Sequence, residues 1–286
     1  MSESPANLVD QSAPRVCAEG SQSPAELKSK NQRLAIVTTS WDDGAASDLK
    51  VAELLLSRGL KGTFYVPLSG YKSHPPLRRE EMRFLSANDL EIGGHGATHR
   101  TLTGLPLWEV VQEVGSSKKH LEDVLGKHVD MFCYPRGRLN AEVVRCVQQA
   151  GYRGARTTRM LAHALSFSLF EMPTTLQVFP HTRGDYLRNL LKARNFAAHR
   201  TFLANYPSLN SWVELGKALF DDVAQRGGIW HLFGHSWEIE KLGLWEDLQN
   251  LLDYVCRREG VIYSSNCQAL HIAQLGVSPR VDETIS

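Results

Sequence analysis

The chain has 286 residues, 42% of them hydrophobic, and a formal net charge of +1. That length and apolar content suit one α/β domain or two small ones with a large core, and the near-neutral balance gives no reason to expect a nucleic-acid partner. No apolar run is long enough to span a bilayer and the polar, acidic N-terminus has no apolar h-region, so the reading is of a cytoplasmic protein without an integral membrane segment. The cysteines Cys17, Cys133, Cys146, Cys256 and Cys267 are scattered and form no C-x-x-C pair, which points to reduced thiols rather than a disulfide frame or a zinc knuckle.

Residues 1–31, rich in Ser, Ala, Pro, Glu and Gln, predict a disordered leader ahead of a folded domain over 32–276 and a tail at 277–286. The strand-like LAIVTTS runs into SWDDG, the helical DLKVAELLLSRG ends at Gly59, and GTFYV completes a βαβ unit. The alternation continues through the strand candidates LEIGGH, VDMFCYP, YRGARTT, TTLQVF, GIWHLFGH and VIYSS. Between them lie the helical runs LPLWEVVQEVGSSKKHLEDVLG, NAEVVRCVQQAG, SWVELGKALFDDVAQRG and LWEDLQNLLDYVCRREG. The segment 159–212 is expected to shape a pocket, and HTRGDYLRNLLKARNFAAHR reads as a helix with a solvated basic face. Alternating βα units mean a parallel sheet with its helices outside. About eight strands fit a closed or nearly closed barrel, with a doubly wound open sheet as the alternative. Both put chemistry at the C-terminal strand ends, where SWDDG, GGHGATH, CYPRG and FGHSWE all fall.

Asp42 and Asp43 are adjacent carboxylates at such an end. Neighbours on an extended chain point in different directions, so the two can hold different tasks, although an acidic turn capping the next helix is the simpler reading. His95 and His99 are spaced i, i+4, which brings both imidazoles to one side if the segment makes a single helical turn. Gly96 stands where H-E-x-x-H would need its glutamate, so a base must come from elsewhere. Two histidines and one of the aspartates make the three protein ligands of a catalytic zinc site, which leaves the other aspartate as base. Of His231 and His235, the latter, at the end of its strand, is the better general acid, and one of the two is a candidate core histidine. The turn at Pro135 offers a backbone N–H to an oxyanion. Trp41 and Trp237 are placed beside the site as pocket lining, and Trp108, Trp212 and Trp245 in helices as packing residues.

In this order and separated by βα units, SWDDG, HGATH, FCYPRG and LFGH resemble the motifs of polysaccharide deacetylases, the NodB-homology carbohydrate esterase family 4, over roughly Leu34 to Ser264. The resemblance implies an α/β fold, a distorted (β/α) barrel of seven or eight parallel strands. It also implies hydrolysis of an N-acetyl or similar N-acyl group on an amino sugar or sugar conjugate, with one divalent metal ion, zinc first. By position it implies Asp42 as base, Asp43, His95 and His99 as metal ligands, the Arg136 backbone N–H at the oxyanion and His235 as acid. Two departures stand out: Cys133 where many relatives have arginine, and S-W-D-D-G in place of T-F-D-D-G. Strand alternation in GYRGARTT puts Arg156 on one face with Gly154 and Thr158, near the strand's end, where it would supply the missing cation; an ordinary surface arginine is the alternative. An amidohydrolase or deformylase acting on a non-carbohydrate amide would use the same machinery. A non-catalytic sugar-binding relative would need neither Asp42 nor His235.

Overall fold

The computed structural model of the chain describes residues 34–71, 74–182, 184–186, 188 and 211–276. The expected leader, the expected tail and most of the basic segment 181–200 lie outside the described residues.

Among the described residues, eight parallel strands form one sheet: β1 (Ala35–Asp42), β2 (Thr63–Val66), β3 (Glu91–Gly94), β4 (Met131–Cys133), β5 (Gly154–Arg156), β6 (Leu176–Gln177), β7 (Gly228–Gly234) and β8 (Val261–Tyr263). Their order is β5-β4-β3-β2-β1-β7-β6, with β8 branching from β1. The branch arises because β1 is long and its second edge is shared. Ser40–Asp42 pair with Thr63–Tyr65 of β2, whereas Ala35–Val37 pair with Val261–Tyr263 of β8. The ends of the sheet are joined by an irregular stretch of chain. Met172 exchanges backbone hydrogen bonds with Ala155 and Thr157 on one side, while the N–H groups of Thr175 and Val178 donate to His231 and Phe233 on the other. This is the distorted, nearly closed barrel, and the open doubly wound sheet is set aside.

Helices cover the outside: α1 (Asp48–Leu56), α2 (Arg79–Ala87), α3 (Leu107–Leu125), α4 (Ala141–Gln149), α5 (Trp212–Arg226), α6 (Ser236–Leu242), α7 (Trp245–Val255) and α8 (Asn266–Gly276). Their boundaries follow local chemistry. Asn140 and Ser211 accept hydrogen bonds from the backbone N–H of Val143 and Glu214, capping α4 and α5. In α3 the buried Val110, Val114, Ser117, Leu121 and Val124 recur at helical spacing and face the sheet. Trp108 lies across the helix from Val110 and is 66% exposed, so the packing role expected for it does not hold.

Alternation along β1 divides the interior in two. Val37 and Trp41 point outward into the large core between sheet and helices, and Ile36 points inward to a second, smaller cluster with Tyr65, Met131, Cys133, Met172 and Ile229. Thr38, Ser40 and Asp42 share that inward face, where Thr38 bonds Asn266, Ser40 bonds His231 and Asp42 bonds Arg156. Trp41 is therefore a core residue, fully buried with its indole N–H on Thr39, and not the pocket lining expected of it.

The N-terminal mouth of the barrel is plugged by α8. Asn266 and Cys267 donate their backbone N–H groups to Thr63 Oγ1 and Glu91 Oε2, which anchors the helix to β2 and β3. Burial pushes the Glu91 carboxyl up to about 7, against the bonds from Thr63 and Cys267. The folded state thus favours protonated Glu91, and its ionisation costs stability as pH rises from the unfolded value near 4.5 through 7. Glu91→Gln keeps an acceptor and removes the titration. Relative to wild type, denaturant unfolding is expected to show the variant gaining on the order of 3 kcal/mol between pH 5 and pH 8, and a pH-independent difference would contradict this.

Candidate functional site

The site lies at the C-terminal strand ends. After Asp42 the chain breaks out of β1 with Asp43 at φ 77 and Gly44 at φ 59. A Cβ at Gly44 would meet Val66 Cγ1 at 2.8 Å, so the sharp left-handed exit needs glycine there. The bend sends the two carboxylates apart. Asp42 stays inside the barrel, and Asp43 turns up to the loop that follows β3.

That loop carries His95 and His99. It is not the helical turn expected from the i, i+4 spacing: Gly96 and His99 are left-handed, at φ 77 and φ 55, and the loop closes through them. Glu113 of α3 pins it, accepting from both the backbone N–H and the hydroxyl of Thr98. The ring centroids of His95 and His99 are 4.7 Å apart. Their Nε2 atoms lie 3.7 and 3.1 Å from the same oxygen, Asp43 Oδ1. His95 Nδ1 bonds the carbonyl of Cys133 at 2.8 Å. A carbonyl can only accept, so Nδ1 carries the proton and the Nε2 lone pair faces Asp43. The indole N–H of Trp237 donates to the other oxygen, Asp43 Oδ2, at 2.8 Å. Burial raises the Asp43 carboxyl, but His99, 3.1 Å away, and the nearby His95 and His235 outweigh it and hold the group well below the usual range. Burial lowers His95 to about 4, keeping it neutral at physiological pH.

One oxygen of Asp43 and one nitrogen from each of the two histidines lie within 4.8 Å of one another. Oδ1 is buried without a hydrogen-bond partner. A carboxylate with two imidazoles is the donor set of a catalytic zinc site, and an oxygen without a hydrogen-bond partner that lies close to both Nε2 atoms fits a divalent cation. A second grouping, Asp42, His95 and Cys133, is also close enough to hold an ion. Its members are otherwise engaged: Arg156 Nη2 donates to Asp42 Oδ1, and the Cys133 thiol lies 3.7 Å from Asp42 Oδ2. Burial drives that thiol well above its ordinary pKa, so it serves as an S–H donor.

Arg156 therefore sits in the barrel at 0% exposure, beneath the site, and is not a surface residue. Its guanidinium also lies over the rings of Tyr65 and Phe233, at 5.2 and 5.0 Å from their centroids. Burial pushes the Asp42 carboxyl up, but Arg156, with His95 and His235, more than reverses this and holds it low. Arg136 stands at φ 59 in the turn Pro135–Gly137, beside Gly137 at φ 64. A Cβ at Gly137 would lie 2.1 Å from Thr158 Oγ1, which ties this turn to the chain after β5. His235 caps α6, with Nδ1 on Glu238 at 3.0 Å and Nε2 at 3.9 Å from Asp43 Oδ2. Burial alone would lower it, yet the Glu238 bond and the two aspartates raise it above its ordinary value. His231 is the core histidine, held between Ser40 and the Pro173 carbonyl and lowered to about 3 by burial and by Arg156.

The sequence singled out neither Glu238 nor Glu113, and gave Trp237 only as pocket lining. Glu238 carried a signal, an acid three residues after His235 at the start of a helix. Glu113 carried none, being one of several acids on an amphipathic helix.

A family model described as polysaccharide deacetylase matches residues 29–155. YxkH of Bacillus subtilis (strain 168), whose name assigns it provisionally to the polysaccharide deacetylases, is 27% identical over 134 residues, 46% of this chain and 47% of that protein. Chitin deacetylase 1 of Cryptococcus neoformans var. grubii is 30% identical over 113 residues, 39% of this chain and 23% of its own. The chain thus spans less than half the length of either curated relative. In fold, a protein of Mycobacterium smegmatis, also provisionally titled a polysaccharide deacetylase, aligns with TM-score 0.63 at 18% identity over 95% of this chain and 98% of its own. The Xyl-CE4 domain of a multidomain xylanase from the hindgut metagenome of Trinervitermes trinervoides aligns with TM-score 0.55 at 14% identity, over 88% and 97% of the two chains. The stretch matched by the family model runs from β1 to β5 and takes in Asp42, Asp43, His95, His99, Cys133 and Arg136, the clusters that the barrel brings to one rim. Residues 29–155 are thus similar to the polysaccharide deacetylase family, and the chain shares the fold of these solved structures.

Proposed function

We propose that the protein is a metal-dependent hydrolase that removes an N-acetyl or similar N-acyl group from an amino sugar or sugar conjugate. The observation that carries this reading is the convergence of Asp43, His95 and His99 beside a second carboxylate, Asp42, that is held apart by its own cation. The chitin deacetylase among the relatives supports an amide on an amino sugar. Asp43, His95 and His99 would hold the metal, zinc first. When bound, the cation supplies a Lewis acid that polarises the acyl carbonyl and lowers the pKa of water.

The chain's own groups divide the rest of the work. Asp42, ionised and oriented by Arg156 and Cys133, takes the proton of the attacking water as its oxygen joins the acyl carbon. The Arg136 N–H faces the oxygen that gains charge. His235, raised by Glu238 and the aspartates, gives its proton to the nitrogen as the C–N bond breaks, leaving carboxylic acid and free amine.

Two measurements test this. Elemental analysis of the protein with Asp43, His95 and His99 all changed to alanine is expected to show metal at background, and chelator titration of the wild type is expected to abolish activity that zinc restores. A triple variant that stays loaded and active would remove the basis of the reading. Mass spectrometry after incubation with acylated sugars, nucleotide sugars and simple amides is expected to find loss of the acyl group from a sugar. Release from simple amides alone would favour the non-carbohydrate alternative.

A further inference from the structure

Beside the metal ligands runs a cleft of about 560 Å³ that His99 shares with the site, a size that suits a sugar and one substituent. Its lining includes Ser69, Tyr71, Thr101, Arg100 and Arg136, and no carboxylate among the described residues. Asp42 and Asp43 are not among the lining residues; Asp42 is engaged with Arg156 and Cys133, and Asp43 with Trp237 and beside His99. The two arginines differ in setting. Arg100 is held in place by Glu109, which takes Nη1 and leaves the other N–H donors of the guanidinium fork. Arg136 is exposed and its guanidinium bonds no side chain among the described residues. Arg58, Arg78, Arg153, Arg156, Arg159 and Arg226 are each paired with an acid, whereas Arg136, like Arg79, Arg138 and Arg145, is in no ion pair among the described residues, and of these only Arg136 lines the cleft. Arg136 also occupies a left-handed backbone position, at φ 59, that costs a non-glycine residue free energy and recurs at functional sites. Tyr71, packed on His99 with ring centroids 4.3 Å apart, gives the cleft an aromatic wall at the end nearest the metal ligands.

A cleft walled by two guanidinium groups and by hydroxyls, with no acid among the described residues that line it, selects for an anion, since carboxylate and phosphate oxygens match the guanidinium fork. We infer that this cleft is an anion-binding subsite and that the substrate is an amino sugar carrying a carboxylate or phosphate group on the acylated residue or its neighbour. The inference rests on the hydrolase reading above for the acylated sugar, but the subsite itself can be tested by binding alone.

The experiment uses the full chain with Asp42→Asn, incubated with zinc so that probes bind without turnover, and measures affinity by calorimetry. The probes are a disaccharide of N-acetylglucosamine and glucuronic acid, N-acetylglucosamine 1-phosphate, and neutral di-N-acetylchitobiose. At least one anionic probe is expected to bind roughly tenfold or more tightly than the neutral one, with the gap closing in about 0.5 M salt as screening sets in. Preference for the first probe identifies a uronic carboxylate, and preference for the second a phosphate. Adding Arg136→Gln is expected to cut the preference by roughly 10- to 100-fold, the loss of one charge-assisted contact, and Arg136→Lys is expected to restore part of it. Equal binding of all three probes, or a preference that survives both salt and Arg136→Gln, would overturn the subsite. If Arg136→Gln does not fold, the salt dependence in the parent decides. In the wild type, absence of deacylation with a persisting charge preference would sink the hydrolase reading and leave the subsite standing. Deacylation with no charge preference would do the reverse.

Discussion

Asp42→Asn is expected to lower turnover by roughly 10²- to 10⁴-fold, the usual cost of losing a general base, with metal content unchanged. The substitution preserves shape and still offers an oxygen to Arg156, so it removes basicity and little else. Asp43, His95 and His99 keep their convergence because none of them bonds to Asp42. Steady-state kinetics together with elemental analysis of the same preparation checks both halves. The competing grouping of Asp42, His95 and Cys133 makes the result informative. Should Asp42→Asn empty the site while Asp43→Asn leaves it loaded, the roles of the two carboxylates are exchanged.

Arg156→Met is expected to have the largest effect on stability, a loss of about 3–5 kcal/mol, because removing one partner of a buried ion pair strands the other. Asp42 would remain in the barrel with only the Cys133 thiol as donor, and burial would then be opposed only by the smaller contributions of His95 and His235. The direction with pH follows. In wild type the Asp42 pKa lies below its unfolded value, so the pair contributes stability that is present above that value and lost as pH falls through the folded one. The deficit of the variant is therefore greatest near neutrality and shrinks in acid, where a protonated Asp42 no longer needs the cation. Turnover should report the same change, since the acidic limb of kcat/KM moves to higher pH as the base becomes harder to ionise. Denaturant unfolding at two pH values and a pH–rate profile test the two parts. If neither stability nor profile changes, Arg156 does not govern Asp42.

Much of the barrel could be read in advance because a parallel α/β chain writes its topology in local signals. The apolar β1, the helical runs that begin at Asn140 and Ser211 and the periodic apolar run of α3 are all short-range features, and each became the element it predicts. The strands after β4 were less well read. YRGARTT and TTLQVF yield only three and two strand residues, because the intervening chain pairs irregularly with both β5 and β7 to span the gap in the barrel. The tryptophans show the same limit from another side. Trp41 is next to Asp42 in sequence and on the opposite face of the sheet, and alternation, applied strictly, would have placed it in the core.

What the sequence by itself determined is the supply of polar groups at one rim. SWDDG, HGATH, CYPRG and FGHSWE each follow a strand, and chain direction alone puts the ends of parallel strands together. Alternation likewise made Arg156 a candidate for the site. Only the tertiary structure decided which groups meet. It turned Asp43 toward His95 and His99 through a left-handed exit at φ 77 and kept Asp42 inside with Arg156. It brought Trp237 onto Asp43 and Glu113 onto Thr98, and placed Arg136 in a cleft whose described lining holds no acid. The physical reason is that periodicity describes a backbone over a few residues, whereas a contact such as Asp42 with Arg156, 114 positions apart, exists only once register and closure of the whole barrel have been set.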